Sequence, residues 1–236
     1  MRIKHYPAEE RGKADHGWLK TRFSFSFAHY YDPQNIQFGA LRVLNDDHIA
    51  PDNGFGMHPH DNMEIITIPF KGALTHKDSM GNQGDITAGE IQAMSAGTGI
   101  LHSEFNNSKS EAVELFQIWI IPNKTQVTPR YQQINIAALQ QANALYQILS
   151  PNPHDDGVWI HQNAWMYKGD FDTDTRISYS LNQKENGVYL MLIEGNISLE
   201  SYELGRRDAV GIYNTDGFEF EAAKDSQVLL IEVPMR

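Results

Sequence analysis

The segment Gly54-Phe-Gly-Met-His58-Pro-His60-Asp-Asn-Met-Glu64-Ile-Ile-Thr-Ile-Pro-Phe70 sets the reading of the whole chain. Its second half, Glu64–Phe70, is rich in Ile and follows turn-forming residues, the signature of a buried strand. Its first half places two histidines one residue apart. Alternate side chains of a strand share a face. His58 and His60 therefore stand side by side, about 7 Å apart along the strand, and Glu64 has the same parity. Pro59 between them favours extended backbone at His58 and a place at a strand edge or end.

The same texture continues on both sides. Phe23–Phe27 alternates apolar and polar residues with period two, which suits a half-buried strand. Glu114–Ile121, Val188–Ile193 and Gln227–Val233 are rich in Ile, Leu and Val. Turn signals such as Pro51-Asp-Asn-Gly54, Met80-Gly-Asn82, Ala96-Gly-Thr-Gly99 and Asn186-Gly187 punctuate them. The best helix candidate is the short, Ala- and Gln-rich stretch Ile136–Tyr146. Many short strands at close spacing predict an all-β sandwich or barrel. The aromatic set Phe23, Phe25, Phe27, Tyr30 and Tyr31 is read as core.

A weak internal repeat divides the chain. Gly72 and Gly195 each precede a Gly-bearing turn, a strand and an apolar run that ends at Pro122 or Pro234. Two β units of similar plan joined near Asn123–Gln133 account for the length. The stretch of the second unit that corresponds to His102–Glu104 lies near Asp216–Phe220 and contains no His. Only the first unit then carries polar ligand types.

Composition narrows the chemistry. The chain has 236 residues, 19 basic and 30 acidic side chains, a net charge of −11, ten His and no Cys. Without Cys there are no disulfides, thiolate nucleophiles, zinc fingers or iron–sulfur clusters. The acidic balance lacks the footprint that phosphate-backbone binding requires, so no nucleic-acid partner is expected. The longest apolar runs are six or seven residues, against about 20 for a membrane helix. The N-terminal stretch has no apolar secretory region. A cytoplasmic protein without a membrane partner is expected.

A second pair of ligand types follows at Ala96-Gly-Thr-Gly-Ile-Leu-His102-Ser-Glu104. His102 and Glu104 share parity, and the Gly97/Gly99 turn lets the strand start sharply. Three imidazoles and one carboxylate suit iron, copper, nickel, manganese or zinc, and not calcium. Four protein ligands on an ion able to take six leave two positions for substrate and dioxygen. Glu64 competes with Glu104 as the carboxylate, or serves as a general base, a supporting partner or a solvent-facing charge. His76 and Asp78 share parity too, but their place beside Met80-Gly-Asn82 reads as a hairpin surface. His154 and His161 lack a paired ligand, and His5, His16, His29 and His48 are isolated.

Taken together, Gly56-x-His58-Pro-His60-x-x-x-Glu64, Asp78-Ser-Met-Gly81 and Gln92-x-Met-Ser-Ala-Gly-Thr-Gly-Ile-x-His102-Ser-Glu104 resemble the pirin family of the cupin superfamily. Arg11-Gly-x-Ala-x-His-Gly-Trp-Leu19, Phe23-x-Phe-Ser-Phe-Ala28-x-Tyr-Tyr-Asp-Pro33, Gln117-Ile-Trp-Ile120 and Thr128-Pro-Arg-Tyr131 are similar to its bacterial branch. The resemblance is strong over the first 135 residues and looser beyond. It implies a bicupin, two β-barrel or jelly-roll domains in one chain. The N-terminal barrel, 1–122, would carry the metal, 123–135 would link, and 136–236 would form a barrel without a metal.

By matching motifs the metal ligands are His58, His60, His102 and Glu104, holding one divalent ion, with iron expected first. The resemblance further implies a monomeric quercetin 2,3-dioxygenase that opens the central ring of a flavonol with dioxygen and releases carbon monoxide. Glu104 or Glu64 would take the proton of the substrate's 3-hydroxyl. Two rival expectations stand beside it: a metal-binding regulatory protein that meets a protein partner, and an oxygenase with another physiological substrate.

Overall fold

The computed structural model describes residues 1–235. The strands read from the sequence form: Glu64–Lys71, Asn186–Glu194 and Ser226–Pro234 run one to three residues longer than expected, and Val113–Ile120 is shifted by one residue. The Phe23–Phe27 alternation ends as a strand at Phe23, closing Leu19–Phe23. Ile136–Tyr146 is not a helix. Only Ala137–Leu139 makes a 3₁₀ turn, without a side-chain cap, and Leu145–Ser150 is a strand. A helix this short is marginal by itself, and Tyr146 and Ile148 are drawn into the core instead.

The strands form two units of one plan. A seven-stranded sheet runs in the order Arg130–Asn135, Glu90–Ser95, Glu64–Lys71, Val113–Ile120, Leu41–Ile49, Leu19–Phe23, Gly12–Asp15. A four-stranded sheet runs Gly54–His60, Ile100–Phe105, Ala73–Asp78, Gln83–Thr87. The C-terminal unit repeats this with a seven-stranded sheet centred on Asn186–Glu194 and Ser226–Pro234. Its four-stranded sheet runs Thr175–Ser180, Gly217–Ala222, Ile197–Leu199, Tyr202–Leu204. Asp216–Phe220, matched to the His102–Glu104 stretch by the repeat, falls mainly on Gly217–Ala222. That strand takes the place of Ile100–Phe105 in the sheet order.

The domain boundaries differ from those expected in two places. Arg2–Tyr6 pairs with Ala209–Tyr213 and so belongs to the C-terminal sheet. Within the expected linker, Arg130–Asn135 pairs with Glu90–Ser95 and closes the edge of the N-terminal sheet. The N-terminal strand thus crosses to the other unit, and the segment between the units closes the first sheet; each covers an edge that would otherwise expose unpaired backbone groups.

The two seven-stranded sheets pack face to face. One buried cluster joins Leu41, Leu44, Ile66, Ile68, Phe116 and Ile118 of the first to Ile148, Met166, Tyr189, Met191, Leu229 and Ile231 of the second. The interior of the C-terminal barrel is a separate apolar cluster built on Phe171, Tyr179, Phe218, Phe220, Leu190 and Leu230. Aromatic rings fill the space that holds imidazoles in the N-terminal barrel. Of the aromatic set read as core, Phe23 and Phe25 are buried, Phe27 and Tyr30 are half-buried, and Tyr31 is 73% exposed. Among the described residues, no helix is long and apolar enough to cross a membrane.

One buried carboxylate ties the second barrel together. Glu232 is wholly buried. It accepts hydrogen bonds from Tyr179 Oη at 2.6 Å, from the Asn182 and Gln183 amides at 3.0 Å, and from Asn186 Nδ2 at 2.8 Å. Glu232→Ala strands these donors and is expected to cost about 3 kcal/mol or more. Urea denaturation measures it; a loss under about 0.5 kcal/mol would contradict this account.

Candidate metal centre

The centre lies on the inner face of the N-terminal four-stranded sheet. His58 and His60 project from Gly54–His60, and antiparallel pairing sets His102 directly opposite His58. The ring centroids are 4.9 Å apart for His58–His60, 4.4 Å for His58–His102 and 4.9 Å for His60–His102. One ring nitrogen from each lies within 4.8 Å of the others, close enough to hold an ion.

The donor chemistry fits a metal. His58 Nδ1 lies 2.7 Å from the Gly56 carbonyl. A proton donated there leaves the Nε2 lone pair free. His102 is 1% exposed, and neither of its ring nitrogens has a hydrogen-bond partner. Unpartnered buried polar atoms are costly unless something meets them. Burial, reinforced by the other imidazoles, pushes His102 down to about 2. Burial and His58 push His60 down to about 4. Both rings are neutral near pH 7, the state a ligating imidazole needs.

Glu104 is buried on the same strand as His102. Gln117 Nε2 donates to its two carboxylate oxygens at 3.1 and 2.9 Å, and Thr67 Oγ1 lies 3.4 Å from Oε1. Burial raises its pKa, opposed by Gln117 and the nearby imidazoles. In this geometry Glu104 groups with His102 and His76 within 4.8 Å, whereas His58 and His60 group with His102. His102 is the shared corner of two triads.

His76 and Asp78 are not a hairpin surface. Ala73–Asp78 is an interior strand of the sheet, paired on both sides. Leu74, His76 and Asp78 face inward and are buried, and the turn begins only at Ser79. His76 lies opposite Glu104 in register, and its Nε2 is 3.2 Å from Asp78 Oδ2. Asp78 in turn accepts from the Met80 and Asn82 amides and from Asn82 Nδ2. The parity shared by His76 and Asp78 was the signal; the nearby turn obscured it.

Glu64 lies elsewhere. The turn at Asp61–Met63, with Asn62 at φ +44°, separates its strand from that of His58 and His60. Parity therefore does not carry across. On Glu64–Lys71 it is Ile65 that lines the cavity, while Glu64 accepts from Ser95 Oγ at 2.7 Å and faces Arg130. Glu64, expected as a competing ligand or base, is not among the residues that line the cavity, whereas Glu104 is.

The cavity measures about 200 Å³. Phe27, Phe55, Ile65 and Trp119 form its apolar wall, and Asn45 and Asp47 add polar groups. Burial pushes Asp47 up to about 7. Asn45 and Asp47 were not singled out in the sequence. Their signal is the run Asn45-Asp-Asp47 within the strand Leu41–Ile49, since Asp and Asn are depleted in strands.

Comparison with known proteins agrees with the two-unit fold. The Pirin family matches residues 5–120, and the quercetinase C-terminal cupin domain matches residues 147–233. A quercetin 2,3-dioxygenase of Escherichia coli strain K12 is 41% identical over 227 residues, covering 96% of each chain. A pirin-like protein of Caulobacter vibrioides is 38% identical over 231 residues, covering 98% of this chain and 99% of its own. The crystal structure of the bacterial pirin YhhW from Escherichia coli in complex with nickel(II) superposes with a TM-score of 0.93 at 39% identity, covering 100% of both chains.

The Glu64 environment makes a pH prediction. Burial pushes this carboxyl from 4.5 up to about 7, opposed by Ser95 and by Arg130. Between those values the folded protein keeps a proton that the unfolded chain has released. Stability from this group is full below about 4.5 and is lost as pH rises through about 7. Glu64→Gln mimics the protonated form. It is expected to exceed the wild type in urea stability by about 1–3 kcal/mol at pH 8, with little difference at pH 5. An equal difference at both pH values would refute the assignment.

Proposed function

The chain belongs to the pirin family, and from that membership we propose that it is a metal-dependent dioxygenase opening the central ring of a flavonol such as quercetin, with release of carbon monoxide. One observation carries the reading. Three imidazoles and a buried carboxylate converge on an apolar-walled cavity, and the buried nitrogens of His102 have no protein partner. His58, His60, His102 and Glu104 would hold the ion. The set suits first-row divalent metals; iron is the proposed occupant, and the nickel(II) of the Escherichia coli relative is the nearest alternative. When bound, such an ion supplies a Lewis acid for a substrate oxyanion and access to oxygen chemistry.

The chain's own groups do the rest. A Glu104 oxygen takes the proton of the flavonol 3-hydroxyl, a role favoured by a carboxylate whose basicity burial has raised. Gln117 Nε2 grips both of its oxygens and fixes its orientation. Asp78, through His76, backs the same corner of the site. Phe27, Phe55, Ile65 and Trp119 exclude water and hold a planar ring.

The cavity is smaller than the 300–1,000 Å³ common for drug-sized ligands. A three-ring flavonol would then seat one part inside and leave the remainder at the mouth. The same volume favours a second reading, an oxygenase whose physiological substrate is smaller than quercetin.

The test is aerobic against anaerobic incubation with quercetin, following flavonol absorbance and carbon monoxide as metal content is varied. Oxygen-dependent turnover is expected to scale with metal loading. His102→Ala should lose the metal and reduce turnover at least ~100-fold. Glu104→Gln should lower turnover by a comparable factor, and Glu64→Gln should leave it within about twofold. Carbon monoxide release by metal-free His102→Ala protein would sink the mechanism.

A further inference from the structure

A larger recess of about 570 Å³ lies along the seam between the two units, with Asp47 lining both it and the metal cavity. Strands Gly12–Asp15, Leu19–Phe23 and Leu41–Ile49 form one wall, and the turn before Ala209–Tyr213 forms the other. Five of its lining residues are cationic: Lys13, Lys20, Arg22, Arg206 and Arg207. In a chain of net charge −11 with only 19 basic residues, that is a marked local concentration.

The base of the recess is unusual in its charge balance. Arg207 is 5% exposed. Its Nε lies 3.4 Å from Asp46 Oδ2, and Nη2 of the buried Arg11 lies 3.3 Å from the same oxygen. Two buried guanidinium groups therefore share one carboxylate oxygen. Among the described residues, Nε and Nη1 of both arginines have no hydrogen-bond partner. The rings of Phe70 and Phe116, 5.0 and 4.9 Å from the Arg207 guanidinium carbon, support it by cation–π contact but offer no acceptor. Burying such donors without acceptors is expensive.

The rim adds mobile charge. Arg206 is held by Glu194, whereas Lys13, Lys20 and Arg22 are exposed and form no ion pair among the described residues. Asp15, Asp46, Asp47 and Glu114 also line the recess. They would repel a polyanion, which limits the ligand to one small charged head.

We infer that this seam is a binding site for a small oxyanion, a carboxylate or a phosphate monoester head. Arg207, backed by Arg11, grips it at the base, and Arg22 and Lys20 meet it at the rim. The planar guanidinium fork matches the two oxygens of either group. The ligand bridges strands of the N-terminal sheet and a turn of the C-terminal unit.

Calorimetric titration of the metal-loaded protein with malonate and, separately, with inorganic phosphate tests this, with sodium chloride holding ionic strength constant. Saturable binding of at least one probe is expected, and the probe that saturates tells carboxylate from phosphate. Arg207→Met should weaken it at least ~10-fold, the scale of a lost charge-assisted hydrogen bond. Arg22→Gln should weaken it ~3-fold. His58→Ala should bind as the wild type does, which separates this site from the metal centre. Failure of both probes to saturate overturns the inference, as does unchanged affinity in folded Arg207→Met. If Arg207→Met does not fold, unchanged affinity in Arg22→Gln overturns it. Loss of binding in His58→Ala would place the anion at the metal centre instead.

Discussion

Burial of the two seven-stranded sheets against each other is the constraint from which the rest follows. Each sheet has one face inside its own barrel and the other against the opposite unit. From Glu64 to Pro69, each side chain of the strand Glu64–Lys71 is thereby committed to one of two interiors. Ile65 and Thr67 turn toward the metal cavity, while Glu64, Ile66 and Ile68 turn toward the seam. A slip of one residue would exchange the two sets. Such strands read as continuous apolar runs, because neither face meets water.

The two barrels share a plan and divide the work. The C-terminal barrel is filled by Phe171, Tyr179, Phe218 and Phe220 and is closed by the Glu232 hydrogen-bond cluster. The N-terminal barrel gives up that packing to enclose imidazoles and carboxylates, whose desolvation is unfavourable to folding. The shared apolar core at the seam offsets this cost, since it anchors the inner sheet of the polar barrel to a well-packed neighbour. The N-terminal strand Arg2–Tyr6 and the connecting segment Arg130–Asn135 reinforce the same arrangement by covering sheet edges.

Much of this was legible in the residues. That His58 and His60 share a face was readable from strand parity, and cross-strand register then sets His102 opposite His58. The stretch Asp216–Phe220 was read as lacking His, and the second barrel carries Phe218 and Phe220 there. Parity failed where a turn intervened: Asn62 in the left-handed region resets the count, so Glu64 faces Arg130 and not His60. Proximity to a turn misled in the opposite direction at His76 and Asp78, which sit on an interior strand one residue before the chain reverses. Ile136–Tyr146 has local helical composition, but two of its neighbouring apolar side chains gain more from the seam than an isolated short helix offers.

The sequence by itself determined the all-β class, the two-unit plan, the chemistry available to a chain without Cys, and three imidazoles on neighbouring strand faces. These depend on composition and on local periodicity, which are properties of short segments. Only the tertiary structure decided which carboxylate meets the imidazoles, that His76 and Asp78 stand behind Glu104, and that Arg11 and Arg207 converge on Asp46. Those outcomes depend on cross-strand register and on the packing of residues nearly 200 positions apart, and neither is encoded in the spacing of any one segment.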